Sequence, residues 1–175
     1  MCAERPSARI LAVASGHLRE AALSSAVQSG AIGELVALDQ DPASLEEVQR
    51  SSYSSRVRTV TASIGALLKG SVDLGTFDFI YAAGLYDYLP APVARSLPLS
   101  LVGRLRSGGR LLLGNFAAGF GTHAFMEAFM EWRLIGRTHE DMARLFAGLP
   151  SSALRETRTF DDSGRYVVYA SGQSA

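Results

Sequence analysis

Cysteine is nearly absent. The single thiol, Cys2, sits beside the start of the chain and excludes both a disulfide framework and a cysteine-rich zinc site, so it is expected to be incidental. A surplus of either charge is missing as well: Lys and Arg together number 17, as do Asp and Glu. Nothing in that balance draws the chain toward nucleic acid or an anionic membrane surface. No apolar run approaches the roughly 18 to 20 residues of a membrane span, and the opening MCAERPSAR has no apolar signal-peptide stretch. A cytoplasmic protein is therefore expected. Internal repeats, low-complexity segments and GxGxxG, the fingerprint of nicotinamide-dinucleotide sites, are all lacking.

What remains is 175 residues, 47% of them apolar, enough for one globular domain spanning 1–175. Apolar runs of strand length alternate with stretches of helical period, which predicts βαβ units around a mostly parallel sheet. Strands are expected over residues 8–14, 34–38, 57–61, 77–83 and 110–116. The intervening helices are expected over 19–29 (with Ala22, Leu23, Ala26 and Val27 on one face), from Pro42 behind an Asp41 cap, over 64–68, and through Val93, Leu97, Leu101 and Leu105 to a stop at Ser107-Gly108-Gly109.

The final third differs. A glycine-punctuated loop, GNFAAGFGTH, leads into a helix carrying Phe125, Phe129 and Trp132 at helical spacing. A second helix opens on Thr138 with Asp141 three residues on, a capping-box pattern, and buries Met142, Leu145, Phe146 and Leu149. Residues 154–160 and 165–171, joined by DDSG, read as an antiparallel hairpin. The expected fold is thus α/β: a doubly wound, mostly parallel, seven-stranded sheet with an antiparallel C-terminal hairpin.

In such a sheet, ligands bind outside the carboxyl ends of the strands where strand order reverses. After the first strand come Ala14, Ser15 and Gly16, small residues that let backbone approach a ligand, followed by a helix start whose amides favour an anion. A tight turn of this kind serves purely structural ends equally well. Asp39 ends the second strand some two dozen residues later, where a carboxylate can accept both hydroxyls of a ribose or merely assist the next helix cap. Ser63 and Ile64 follow the third strand. They either read an adenine edge or, in the case of Ser63, only cap a helix. The fourth strand leaves through Ala82, Ala83 and Gly84, which make space beside a ligand, into Tyr86-Asp87-Tyr88, the expected substrate edge.

These segments resemble the class I S-adenosylmethionine-dependent methyltransferases along nearly the whole chain. ILAVASG is similar to their first motif, VALDQDPASL to the second, FDFIYAA to the fourth-strand motif and LRSGGRLLLGNF to the fifth. SGHLREA, ALDQDP, YAAGLYDYL and MEAFMEWRLIGR resemble a bacterial subgroup associated with methyl esterification of 3-hydroxy fatty acids. The resemblance implies S-adenosylmethionine as cofactor, with Ala14, Ser15 and Gly16 against its methionine part, Asp39 on the ribose, Gln40 beside the adenine, Ser63 and Ile64 at the adenine edge, and Ala83 leaving room beside it. Two departures stand out: the family's acid in the first strand is Ala12 here, and of its glycine triplet only Gly16 remains. Arg19 is placed to pair with the methionine carboxylate in compensation.

A small-molecule methyl acceptor, a carboxylate or a hydroxyl, is expected over Tyr86, Asp87, Tyr88 and the aromatic helix. No metal is expected. Only a hydroxyl or amine needs a base, for which His17, Asp87 and His139 are the candidates. The covering segment that usually precedes the first strand in this fold is not seen, so a homodimer mate, a partner domain or the rest of a longer parent protein is expected to supply it. Two other readings stay open: a non-catalytic scaffolding domain of the same fold, and an NAD-dependent oxidoreductase, which Asp39 supports and the terminal hairpin opposes.

Overall fold

The computed structural model describes residues 7–51, 54–119 and 123–175. Seven strands form one sheet in the order β3-β2-β1-β4-β5-β7-β6: β1 (Arg9–Val13), β2 (Glu34–Asp39), β3 (Val57–Thr61), β4 (Phe77–Ala82), β5 (Leu105–Phe116), β6 (Leu154–Asp161) and β7 (Val167–Ser174). β1 to β5 pair in parallel, while β7 lies antiparallel between β5 and β6, as the sequence predicts for the closing hairpin. Its turn is fixed by Asp162, whose carboxylate accepts from the amides of Tyr166 and Val167 at 2.7 and 2.8 Å.

Helices α1 (Ser25–Gln28), α2 (Pro42–Arg50), α3 (Ile64–Leu68), α4 (Ala91–Val102), α5 (His123–Met130) and α6 (His139–Arg144) connect the strands. Asp41 caps α2 by accepting from the Ala43 and Ser44 amides, with Pro42 in the first turn. Thr138 and Asp141 form the expected capping box of α6. Leu67, Leu97, Leu101, Met142 and Leu145 from α3, α4, α6 and the residue that ends it pack on one sheet face. On the other face, Ala21, Val27, Leu45 and Val48 cover β1 and β2. Among the described residues, no helix is long and apolar enough to cross a membrane.

α5 ends at Met130, before Trp132, α6 ends at Arg144, before Leu145, Phe146 and Leu149, and two more expected helices differ. Residues 19–29 do not form one amphipathic helix: Arg19–Leu23 is a 3-10 helix, Ser24 turns extended and caps Val27, and only then does α1 begin. Leu23, expected on the buried face, is 88% exposed, and Ala21 is buried in its place. The other difference is Leu105, which belongs to β5 and pairs with Phe77, whereas α4 has already ended at Val102. Ser107-Gly108-Gly109 is a bulge inside β5, not a helix stop. A Cβ on Gly109 would lie 2.8 Å from the Arg106 carbonyl, which explains the glycine.

At the carboxyl ends of β4 and β5 a buried polar cluster fixes the loops. Arg137 donates to the carbonyls of Tyr86 and Leu89 and to Asn115 Oδ1, while Asn115 Nδ2 donates to the carbonyls of Phe116 and Ile135 at 2.8 Å each. Asp87 accepts from the Phe116 amide at 2.6 Å, and its carbonyl accepts from Ile135. Burial raises the Asp87 carboxyl above its ordinary range against the pull of the Phe116 amide and the nearby Arg137 charge. Burial likewise lowers the Arg137 guanidinium. The cluster ties the 134–137 segment across β5 to the β4 exit.

Two predictions follow from this packing. Arg137→Leu strands three buried acceptors and leaves Asp87 without its cation, so it is expected to cost about 3–5 kcal/mol, read as a lower denaturant midpoint. In acid, the carboxyls held below their ordinary range decide the sign: Asp41 by the Ser44 hydroxyl, Asp141 by the Thr138 amide, Asp162 by the Val167 amide, and Glu34, where partial burial opposes but Arg9 and Arg58 outweigh it. Each stabilises the fold above the unfolded carboxylate range and loses that contribution as pH falls through its lowered value. Asp87 acts in the opposite sense. The melting temperature is therefore expected to drop below about pH 4, with a smaller drop in Glu34→Gln.

Candidate functional site

Strand order reverses between β1 and β4, and because β1 to β4 are parallel, the residues that follow them share one rim. Leaving β1, alternate residues Ala14, Gly16 and Leu18 adopt φ of 53°, 50° and 51°. This left-handed path is free for glycine and costs a side-chain-bearing residue about 1 kcal/mol or more. Only one of these three positions is a glycine, so Ala14 and Leu18 hold the left-handed path with side chains. The strain is offset by local bonds: the Ser15 amide donates to Leu38 O at 3.1 Å and the Leu18 amide to Ser15 O at 2.9 Å.

Asp39, the last residue of β2, reaches into this turn. Its Oδ2 accepts from the Gly16 amide at 2.7 Å and its Oδ1 from the Asp41 amide at 2.9 Å. One carboxylate therefore joins the β1 turn to the α2 cap, and each oxygen keeps a further lone pair for a hydroxyl donor. The Asp39 carbonyl also accepts from Ala62 at 2.9 Å, bringing the β3 exit alongside. Ser15 Oγ is buried without a hydrogen-bond partner, and nothing lies within 4 Å of a Cβ built on Gly16 or Gly84. The rim thus has open space at Gly16 and Gly84 and, next to Gly16, a buried hydroxyl whose hydrogen-bonding capacity is unspent, which fits a ligand that brings polar groups.

The other expected cofactor residues share this rim. Gln40 is exposed beyond β2, and Ser63 and Ile64 follow β3. Ser63 caps α3, accepting from the Ala66 amide at 3.2 Å, yet its residue remains exposed. Ala83 and Gly84 are exposed past β4. The helix start expected to offer amides to an anion is instead a five-residue 3-10 helix with no side-chain cap. Arg19 is exposed beside it and lines a 410 Å³ hollow with His17, Glu47 and Arg50.

Tyr86 and Asp87 require a correction. Both were expected at the substrate edge, but they are 0% and 2% exposed, turned into the core by the 3-10 turn Tyr86–Tyr88. Asp87 is committed to the Phe116 amide, and burial raises the Tyr86 hydroxyl far above its ordinary range. The exposed aromatics of this region are Tyr88, Phe129 and Trp132. The side chain of Phe125 lies outside the described residues, as do Cys2 and residues 120–122 of the glycine loop. Sequence reasoning missed Asn115 and Arg137 altogether; their one signal was polarity inside otherwise apolar GNF and LIGR.

Of the proton acceptors considered, only His17 is near the β1 turn, exposed and 3.9 Å from Glu47. His139 is held by Thr159 at 3.0 Å and Asp161 at 2.8 Å on β6, the far edge strand, about 19 Å from β1 at four strand spacings. A hollow of about 1160 Å³ lies on the sheet face lined by Phe79, Tyr81 and Arg110 and includes none of the rim residues. It is open sheet rather than a cleft at the strand ends, so the rim remains the candidate site on chemical grounds.

No family model matches the sequence, and no curated protein matches it. Solved structures do. An O-methyltransferase family protein from Burkholderia thailandensis superposes with a TM-score of 0.77 at 14% identity, covering 99% of this chain and 52% of that one. Magnesium protoporphyrin IX methyltransferase from Synechocystis PCC 6803, with bound S-adenosylhomocysteine, gives 0.69 at 12% identity, covering 97% and 75%. The N-methyltransferase NodS from Bradyrhizobium japonicum WM9, in complex with S-adenosylhomocysteine, gives 0.64 at 17% identity, covering 96% and 78%. The chain therefore spans about half to three quarters of the length of these proteins. These likenesses show the fold: a Rossmann-like, seven-stranded sheet of the S-adenosylmethionine-dependent methyltransferase type, with its antiparallel strand β7 inserted between β5 and β6.

Proposed function

We propose that the chain transfers a methyl group from S-adenosylmethionine to a small-molecule acceptor. The observation that carries this reading is Asp39, held by two amides at the lip of a left-handed turn beside an unpartnered Ser15 hydroxyl. Ala14, Ser15 and Gly16 would hold the methionine part, Asp39 the ribose hydroxyls, and Gln40, Ser63 and Ile64 the adenine, with Ala83 leaving space. When bound, the cofactor supplies an electrophilic methyl on a sulfonium. The protein's share of such a displacement is alignment and exclusion of water, and no protein nucleophile is needed. Binding of S-adenosylhomocysteine by two proteins of this fold supports the cofactor.

A carboxylate is the acceptor the site suits best. It is ionised at neutral pH and needs no base; Asp87 is engaged in the core and His139 at the far edge of the sheet, which leaves His17 as the one candidate base beside the turn. The sequence's narrower resemblance to the 3-hydroxy fatty acid methyl ester group points the same way. Tyr88 would then form the acceptor's apolar side.

Calorimetric titration with S-adenosylmethionine, S-adenosylhomocysteine and NAD tests the reading. The first two are expected to bind and NAD not. Asp39→Ala should weaken binding about tenfold or more by removing charge-assisted bonds to the ribose, with circular dichroism confirming that the variant is folded. Binding of NAD alone would favour the oxidoreductase, and tight cofactor binding without turnover on any carboxylic acid would favour the scaffolding domain.

A further inference from the structure

β4 and β5 are inner strands of the sheet, and inner parallel strands are ordinarily covered on both faces. Among the described residues, part of one face is open. The register places Phe79 of β4 between Ile10 of β1 and Arg110 of β5, and Tyr81 between Ala12 and Leu112. Phe79, Tyr81 and Leu112 are only half-buried and Arg110 is exposed, and together they floor the 1160 Å³ hollow, which Ala21, Ser24 and Val27 wall on one side. From β1 to β6 this face is about 19 Å wide, room for a helix about 10–12 Å across.

The floor also sets the charge of what covers it. Arg110 stands between Phe79 and Gln173 in a row that runs from Ile10 on β1 to Glu156 on β6. Of the two carboxylates lining the hollow, Glu20 is engaged by the Tyr81 hydroxyl at 2.6 Å, and Glu156 is on β6, two strands from Arg110. An occupant must therefore bring apolar side chains and a carboxylate together.

The chain itself displays such a surface. On α5 and the residues just after it, Phe129, Met130 and Trp132 are 77%, 49% and 43% exposed, and Glu127 and Glu131 are exposed among them. We propose that two copies of this chain pair about a two-fold axis, the α5 segment of each lying in the open sheet face of the other with Glu127 or Glu131 against Arg110. A closed two-fold pair covers both open faces and both apolar helices at once and leaves no unmatched surface to propagate. None of these residues belongs to the rim, so the pairing stands or falls independently of the cofactor.

Sedimentation velocity over a concentration series tests it. Wild type is expected to be a dimer that dissociates on dilution. Arg110→Glu in one protein, and Glu127→Arg with Glu131→Arg in another, should each weaken self-association about tenfold or more through like-charge contacts. All three substitutions are at exposed positions, and unchanged circular dichroism melting would show that both variants fold. Mixed in equal amounts, the two variants should re-form dimers, because in the mixed pair every contact is again between opposite charges. A wild type that is monomeric throughout, a dimer indifferent to both variants, or a mixture that stays monomeric would overturn the proposal.

Discussion

The Asp39 carboxylate is the contact on which the site depends. By accepting from Gly16 and Asp41 it locks the exit of β1 to the exit of β2, and its own carbonyl brings in the exit of β3 through Ala62. Three strand ends are set by one residue. The turn it holds is strained at Ala14 and Leu18, and such strain persists only where surrounding structure over-determines it. Leu18, fully buried, and the Asp39 bridge supply that constraint. A left-handed path at Ala14 and Leu18 therefore costs the turn energy that glycine would not.

A second constraint acts at the other half of the rim. Arg137 and Asn115 are buried polar groups that bond each other and the carbonyls of Tyr86, Leu89, Phe116 and Ile135, tying the 134–137 segment to the β4 exit. Partly satisfied clusters of this kind are costly and fully satisfied ones rigid. This one aims the aromatic residues after β5 and draws Tyr86 and Asp87 away from the rim.

Much of the architecture was legible in the sequence because it rests on local rules. Asp41-Pro42 marks a helix start, Thr138 with Asp141 a capping box, and alternating apolar runs a parallel sheet; all three appear as expected. The failures have tertiary causes. An Ala- and Ser-rich stretch after β1 has helical period, but a left-handed Leu18 and the cap at Ser24 divide it. Leu105 continues the four-residue spacing of α4 yet pairs with Phe77 because the chain turns at Gly103. Composition could not tell that Tyr86-Asp87 faces inward, since that depends on Arg137 some fifty residues later. Nor could the apolar run FDFIYAA reveal that one face of β4 is left uncovered, because coverage is decided by what packs against a strand.

A nuclear magnetic resonance titration of isotope-labelled protein with S-adenosylhomocysteine addresses the central claim most directly. Shifts are expected at the backbone amides of Ser15, Gly16, Gln40, Asp41, Ile64 and Ala83, the rim that Asp39 organises. Saturable binding whose shifts cluster instead around Phe79, Arg110 and Leu112, or no shift at Gly16 and Asp41, would contradict it.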